Sequence, residues 1–130
     1  MPDAVIEMPR GTFVKRRADG TVDFVSPLPC PYNYGCVPGT TGGDGDPLDA
    51  IVLGPRLAAG TRVSFPVVAE VDFVDEGRRD MKLVLSAVPL SRAQRRGLAA
   101  FFRIYAVGKR GLARLRGRRG ETRFRGIRCA

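Results

Sequence analysis

Hydrophobic and polar positions in the first two thirds of the chain read as a series of short strands. Val5-Ile6-Glu7-Met8 is an apolar-rich stretch stopped by Pro9. Residues 12–15 and 21–25 flank Asp19-Gly20. An Asp-Gly pair between β-prone runs predicts a hairpin, because a type I′ turn needs positive φ at both central residues. A Pro-rich, aromatic stretch follows over 27–38, and then a Gly-rich loop over 39–45. Residues 50–53 have the unbroken apolar character of a buried strand, and 82–85 form another. Between them, 61–74 is a long β-prone segment with a bend or bulge expected at Pro66.

The period changes at Ser91, which can cap a helix whose Leu98, Phe101, Phe102 and Tyr105 fall at i, i+3, i+4 and i+7. That single apolar face is expected to pack on the strands. After Gly108 the chain reads as an Arg/Gly-rich tail over 109–130, with Leu112, Leu115, Phe124 and Ile127 as its apolar anchors. Many short strands with one helix predict a mainly β (α+β) domain, a small barrel or strongly curved sheet. A length of 130 residues suits one such domain over 1–130.

No apolar run reaches the roughly 18 residues of a membrane span, and the N-terminus lacks a basic region before an apolar one. The expected location is the cytoplasm. The chain contains no histidine, which excludes Ser-His-Asp and Cys-His nucleophiles, His-containing zinc sites and imidazole proton shuttles. Catalysis, if any, must run on carboxylates, Lys, Arg, Tyr and metal. Cys30, Cys36 and Cys129 suit neither a CxxC zinc site nor a disulfide framework, and are expected to be small buried apolar residues or unpaired thiols. The net charge of +9 is unevenly spread. Residues 1–90 hold 9 Lys and Arg against 12 Asp and Glu, whereas 91–130 hold 13 against one.

The acidic residues form two groups, Asp44-Gly45-Asp46-Pro47-Leu48-Asp49-Ala50 and Asp75-Glu76-Gly77-Arg78-Arg79-Asp80-Met81-Lys82. Three Asp within six residues repel one another unless a cation or proton compensates. Hard oxygen donors from several points of the chain suit Mg²⁺, which keeps some of its waters and commonly bridges to substrate phosphate. An EF-hand fails, because the sixth and twelfth positions counted from Asp44 are Asp49 and Pro55 rather than Gly and Glu. A phosphate loop fails as well, since no Gly-Lys-Ser/Thr follows the glycines. Taken alone, Asp44-Gly45-Asp46-Pro47 is an ordinary turn sequence. A second cluster, with Asp80 and Lys82 on one face of an extended chain, favours a metal site.

At these residues the chain resembles the family I soluble inorganic pyrophosphatases. The segment from Asp44 to Ala50 fits that family's Asp-x-Asp-Pro-aliphatic-Asp signature. Val5-Ile6-Glu7-Met8-Pro9, Pro31-Tyr32-Asn33-Tyr34-Gly35, the second acidic segment and Phe101-Phe102-Arg103-Ile104-Tyr105 match further motifs in the same order, over roughly residues 5–106. The resemblance implies a five-stranded OB-like barrel with one flanking helix, to which this chain adds its basic C-terminal segment. It also implies Mg²⁺-dependent hydrolysis of pyrophosphate to two phosphates. Asp44, Asp49, Asp75 and Asp80 would ligate the metal, with Glu7 nearby, and Asp46 would take the proton from the attacking water. Lys15, Tyr34, Lys82 and Tyr105 would hold the phosphoryl groups.

Some family positions differ. The stretch between Lys15 and Tyr34 is short and has no clear counterpart of the family's phosphate-contacting arginine. Arg17 stands where a glutamate is usual, and Ala106 where a lysine follows the helix tyrosine. Two other functions therefore stay open. One is a divergent member with weak activity or another phosphoanhydride substrate. The other is an OB-like nucleic-acid-binding module. The basic segment is expected to bind polyanions non-specifically, and the family implies a homo-oligomer.

Overall fold

Alternation along the strands decides which side chains reach the interior. In the computed structural model, β1 (Asp3–Met8) buries Ala4, Ile6 and Met8 and turns Val5 and Glu7 to the other face. The structure describes residues 2–12, 14–16, 21–25, 30–42, 45–117 and 120–129. The remaining strands are β2 (Val14–Arg16), β3 (Val22–Val25), β4 (Asn33–Val37), β5 (Leu48–Val52), β6 (Arg62–Ser64), β7 (Val67–Asp75), β8 (Arg78–Arg79), β9 (Lys82–Leu85) and β10 (Arg123–Cys129). One helix, α1 (Arg92–Leu115), precedes β10.

The main sheet has the order β10-β7-β9-β5-β4-β1-β6, and β8 pairs with β7. Its five inner strands, β7-β9-β5-β4-β1, are the expected five-stranded body, and β6 and β10 extend the two edges. Among the described residues only β5 and β9 run parallel; the other pairs of this sheet are antiparallel. Irregularities between Ile6 and Met8, Val67 and Ala69, and Phe124 and Gly126 bend the strands and help curl the sheet into an OB-like half-barrel. β2 and β3 pair as the expected hairpin arms, although Asp19-Gly20 lies outside the described residues.

The segment over 61–74 is not one bent strand. Around Pro66 it divides into β6, which pairs with β1, and β7, which pairs with β9 and β10 at the other end of the order. Proline lacks the N–H that a continuous ladder would need. The sheet is buried on both faces. Ile51, Val71, Phe73 and Val84 pack towards α1, while Ala50, Val52 and Leu85 join Ala4, Ile6 and Val37 on the opposite side.

Helix α1 begins at Ser91, whose hydroxyl accepts from Gln94 N while the Gln94 side chain accepts from Ser91 N. Leu98, Phe101, Phe102 and Ala106 are buried against the sheet. Phe102 packs edge-on to Phe73 at 6.0 Å and stacks over Phe124 of β10 at 6.4 Å. The expected end at Gly108 is corrected: the helix continues through Gly108 and Gly111 to Leu115. An interior glycine costs only about 1 kcal/mol relative to alanine, which neighbouring contacts readily offset. The basic segment is likewise no loose tail, for β10 covers the β7 edge from Val74 to Ala69. Phe124 and Ile127 pack on the core as expected, whereas Leu115 is 86% exposed and anchors nothing. No helix among the described residues is long and apolar enough to cross a membrane.

Candidate active site

The parallel pairing of β5 and β9 sets Asp49 opposite Lys82. Adjacent strands lie about 4.8 Å apart, so this register makes a charge pair from residues 33 positions apart. Lys82 Nζ lies 2.9 Å from Asp49 Oδ2 and 2.9 Å from Asp80 Oδ2, and donates to the Tyr34 hydroxyl at 2.6 Å. Its side chain is only 3% exposed. The ammonium also sits 5.3 Å from the Tyr34 ring centroid and 5.6 Å from that of Phe73. Lys15 approaches from β2, 3.8 Å from Asp49 Oδ1 and 3.5 Å from Glu7 Oε1. Strands β1, β2, β4, β5 and β9 thus each contribute to one polar cluster.

The electrostatics follow from two carboxylates sharing one buried ammonium. Burial opposes ionisation of Asp49, yet Lys82 and Lys15 outweigh it and hold its pKa at about 2. For Asp80, burial and the Asp49 charge prevail over Lys82, and the pKa is pushed up to about 6. Burial works to lower the pKa of Lys82, but Asp49, Tyr34 and Asp80 drive it well above the ordinary lysine value. Tyr34 is raised well above its usual value, by burial first and Asp49 second. Both Lys82 and Tyr34 therefore keep their protons at neutral pH and present donors.

Tyr105 on α1 ties the second acidic segment to the first. Burial raises its pKa, Lys82 opposes the rise, and Asp75, Asp80 and Asp49 add to it, so one phenol senses all three carboxylates. Asp75 ends β7, where its Oδ2 lies 3.0 Å from Lys109 Nζ and its Oδ1 is reached by the Thr122 hydroxyl at 3.5 Å. Asn33, from the Pro-x-Asn-Tyr-Gly element, has a positioning role. Fully buried, it accepts from Arg10 N and Leu57 N and donates to Val52 and Pro55 carbonyls, fixing the loops beside Tyr34.

Among the candidates, the structure brings together Glu7, Lys15, Tyr34, Asp49, Asp80 and Lys82, with Tyr105 and Asp75 alongside. Asp46 is exposed on its loop, and Asp44 lies outside the described residues, as does Arg17. Among the described residues no three acidic or cysteine side chains close into a ligand set. The donors that are placed do suit a hard cation. They are carboxylates, and lysine ammoniums already meet their need for positive charge. None of the three cysteines is paired, and burial pushes the Cys30 thiol to about 11, so it is an inert core residue.

An OB-like curled sheet with a buried lysine–carboxylate cluster defines the class. The family profile for inorganic pyrophosphatase matches residues 4–99, and the chain belongs to that family. An inorganic pyrophosphatase of Aeropyrum pernix is 35% identical over 98 residues, covering 69% of this chain and 54% of that protein. One from Gluconobacter oxydans is 34% identical over 90 residues, 63% of this chain and 52% of its own length. The chain thus spans about half the length of these curated relatives. The crystal structure of the Thermus thermophilus inorganic pyrophosphatase superposes with a TM-score of 0.77 at 28% identity, covering 98% of this chain and 81% of that one.

Proposed function

We propose that this chain is a single-domain, cytoplasmic enzyme that hydrolyses inorganic pyrophosphate to two phosphates with Mg²⁺. The observation that carries the reading is the Lys82 cluster: a buried ammonium joined to Asp49, Asp80 and the Tyr34 hydroxyl, on strands that the family profile matches. Asp44, Asp49, Asp75 and Asp80, with Glu7 nearby, would hold Mg²⁺, which when bound supplies charge neutralisation and acidifies water. The chain's own groups do the rest. Lys15, Lys82, Tyr34 and Tyr105 bind and orient the phosphoryl oxygens as donors. Asp46 accepts the proton of the attacking water as its oxygen bonds to phosphorus, and the bridging P–O bond breaks to release the second phosphate.

The test is phosphate release from pyrophosphate by purified protein. Activity is expected with Mg²⁺ and not with EDTA, and an Asp46→Asn variant should lose about 10²-fold or more in rate while keeping most of its Mg²⁺ affinity. A protein that releases phosphate from other phosphoanhydrides but not from pyrophosphate would be the divergent hydrolase instead. No metal-dependent release from any of them would end the hydrolase reading.

A second property is supported by the surface of α1. Arg92, Arg95, Arg96 and Arg103 line one depression of about 510 Å³, and Arg103 also lies over the Phe124 ring at 5.7 Å. We infer that this face binds polyanions without sequence preference. Four phosphate contacts with a single strand should make RNA affinity fall roughly 50-fold between 50 and 200 mM salt. Binding that survives high salt, or that favours one sequence, contradicts this.

A further inference from the structure

We propose that Lys109 is a substrate-binding cation of this site, holding a phosphoryl oxygen beside Asp75. The proposal rests on the pyrophosphate reading and deepens it. Position 106, directly after the helix tyrosine, is alanine; its side chain is 3% exposed and packs in the core with Leu98 and Phe102. A lysine there would start its stem inside that core. Lys109 stands one turn beyond Tyr105, at i+4, and residues so spaced share a helix face.

The geometry shows where that face looks. Lys109 Nζ is 3.0 Å from Asp75 Oδ2, and Asp75 is among the charges acting on the Tyr105 phenol. The Lys109 side chain is 19% exposed, whereas Arg103, Arg110 and Arg114 of the same helix are exposed. Continuation of α1 through Gly108 is what delivers the ammonium to the site. Asp75 is steadied from behind by Thr122, a buried residue whose hydroxyl also accepts from Glu76 N at 3.0 Å.

Lysine chemistry fits this task. An ammonium on a flexible four-carbon stem can neutralise Asp75 when the site is empty of phosphate, and turn to a phosphoryl oxygen when Asp75 engages a cation. A fixed guanidinium fork moves less readily between such partners.

The experiment compares the parent with Lys109→Met, Lys109→Arg and Arg110→Met, the last controlling for loss of one surface charge. Two readouts are kept separate: calorimetric binding of imidodiphosphate with Mg²⁺, and steady-state pyrophosphate hydrolysis. We expect Lys109→Met to bind the analogue 10- to 100-fold more weakly and to lose a similar factor in kcat/KM. Lys109→Arg should recover part of both, and Arg110→Met should match the parent. Unfolding in urea identifies any variant that has simply lost its fold, in which case Lys109→Gln replaces it. A parent that binds the analogue through Lys109 but does not hydrolyse pyrophosphate supports the assignment and overturns the hydrolase reading. A Lys109→Met protein with parental affinity and turnover overturns the assignment while hydrolysis stands. A parent that does not bind the analogue overturns both.

Discussion

A Lys82→Met protein is expected to lose at least about 10³-fold in pyrophosphate hydrolysis and about 3–5 kcal/mol of stability in EDTA. Methionine keeps the length of the stem and removes the charge. Asp49 and Asp80, each within 2.9 Å of the ammonium and less than a fifth exposed, then face one another without it. Breaking a buried pair by removing one partner costs more than the pair contributes, because the remaining charges stay desolvated. The Tyr34 hydroxyl loses the ammonium donor as well. Saturating Mg²⁺ should restore part of the stability by replacing the missing positive charge, but little of the activity, because the donor proposed to hold a phosphoryl oxygen is gone. A Lys82→Met/Asp80→Asn double variant should likewise regain stability without turnover. Urea unfolding with and without Mg²⁺, alongside phosphate release, measures both effects. A single variant with parental stability and rate would remove Lys82 from the centre of the site.

Much of that centre was legible in the sequence because strand periodicity is simple. Asp80 and Lys82, two apart in an extended chain, had to share a face, and Lys82–Leu85 is a strand with the bounds its apolar run predicted. The cap at Ser91 and the Leu98, Phe101, Phe102, Tyr105 face were equally readable. What local pattern cannot supply is the partner of a strand. Asp49 meets Lys82 only because β5 and β9 pair in parallel, a long-range register that no window of sequence contains. Strand β4 lay concealed in a stretch containing Pro31, Gly35 and Pro38, where turn formers masked five residues of alternating burial. The dense arginines and glycines after Gly108 read as a tail, because composition there outweighs the sparse apolar signal. Phe124 and Ile127 are the anchors their apolar character predicts, but they belong to a strand docked on β7, where Arg125 and Arg128 also lie 3.9–4.0 Å from Asp72. Composition places Lys109 at the head of that basic tail, whereas the role proposed for it depends on helix phase.

The close approach of β1 to β4 makes Gly35→Ala the most damaging small substitution expected in this chain. Gly35 pairs with Ile6. A Cβ built at position 35 would sit 1.9 Å from the Val5 carbonyl oxygen and 2.8 Å from its carbon. Both are backbone atoms, so no side-chain rotation relieves the clash, and one strand must move by more than an ångström. Overpacking with backbone shifts costs typically 1–3 kcal/mol and sometimes more, and this contact belongs at or above the upper end. The displacement would also reach the site. Glu7 follows Ile6 on β1, Tyr34 precedes Gly35, and the 2.6 Å Tyr34–Lys82 hydrogen bond depends on β4 holding its place beside β5, which in turn pairs with β9. A shift of about 1 Å at a catalytic geometry is enough to cost roughly 10²-fold in rate. The expected result is a protein at least about 3 kcal/mol less stable whose folded fraction is also slow, even at temperatures where unfolding is negligible. Serine at the same position should behave no better, since the obstacle is the Cβ itself. Far-UV circular dichroism through a urea titration, with rates normalised to the folded fraction, separates the two losses. If Gly35→Ala matched the parent in both, β1 and β4 would not approach as closely as this register requires, and Glu7 and Tyr34 would not belong to the same site.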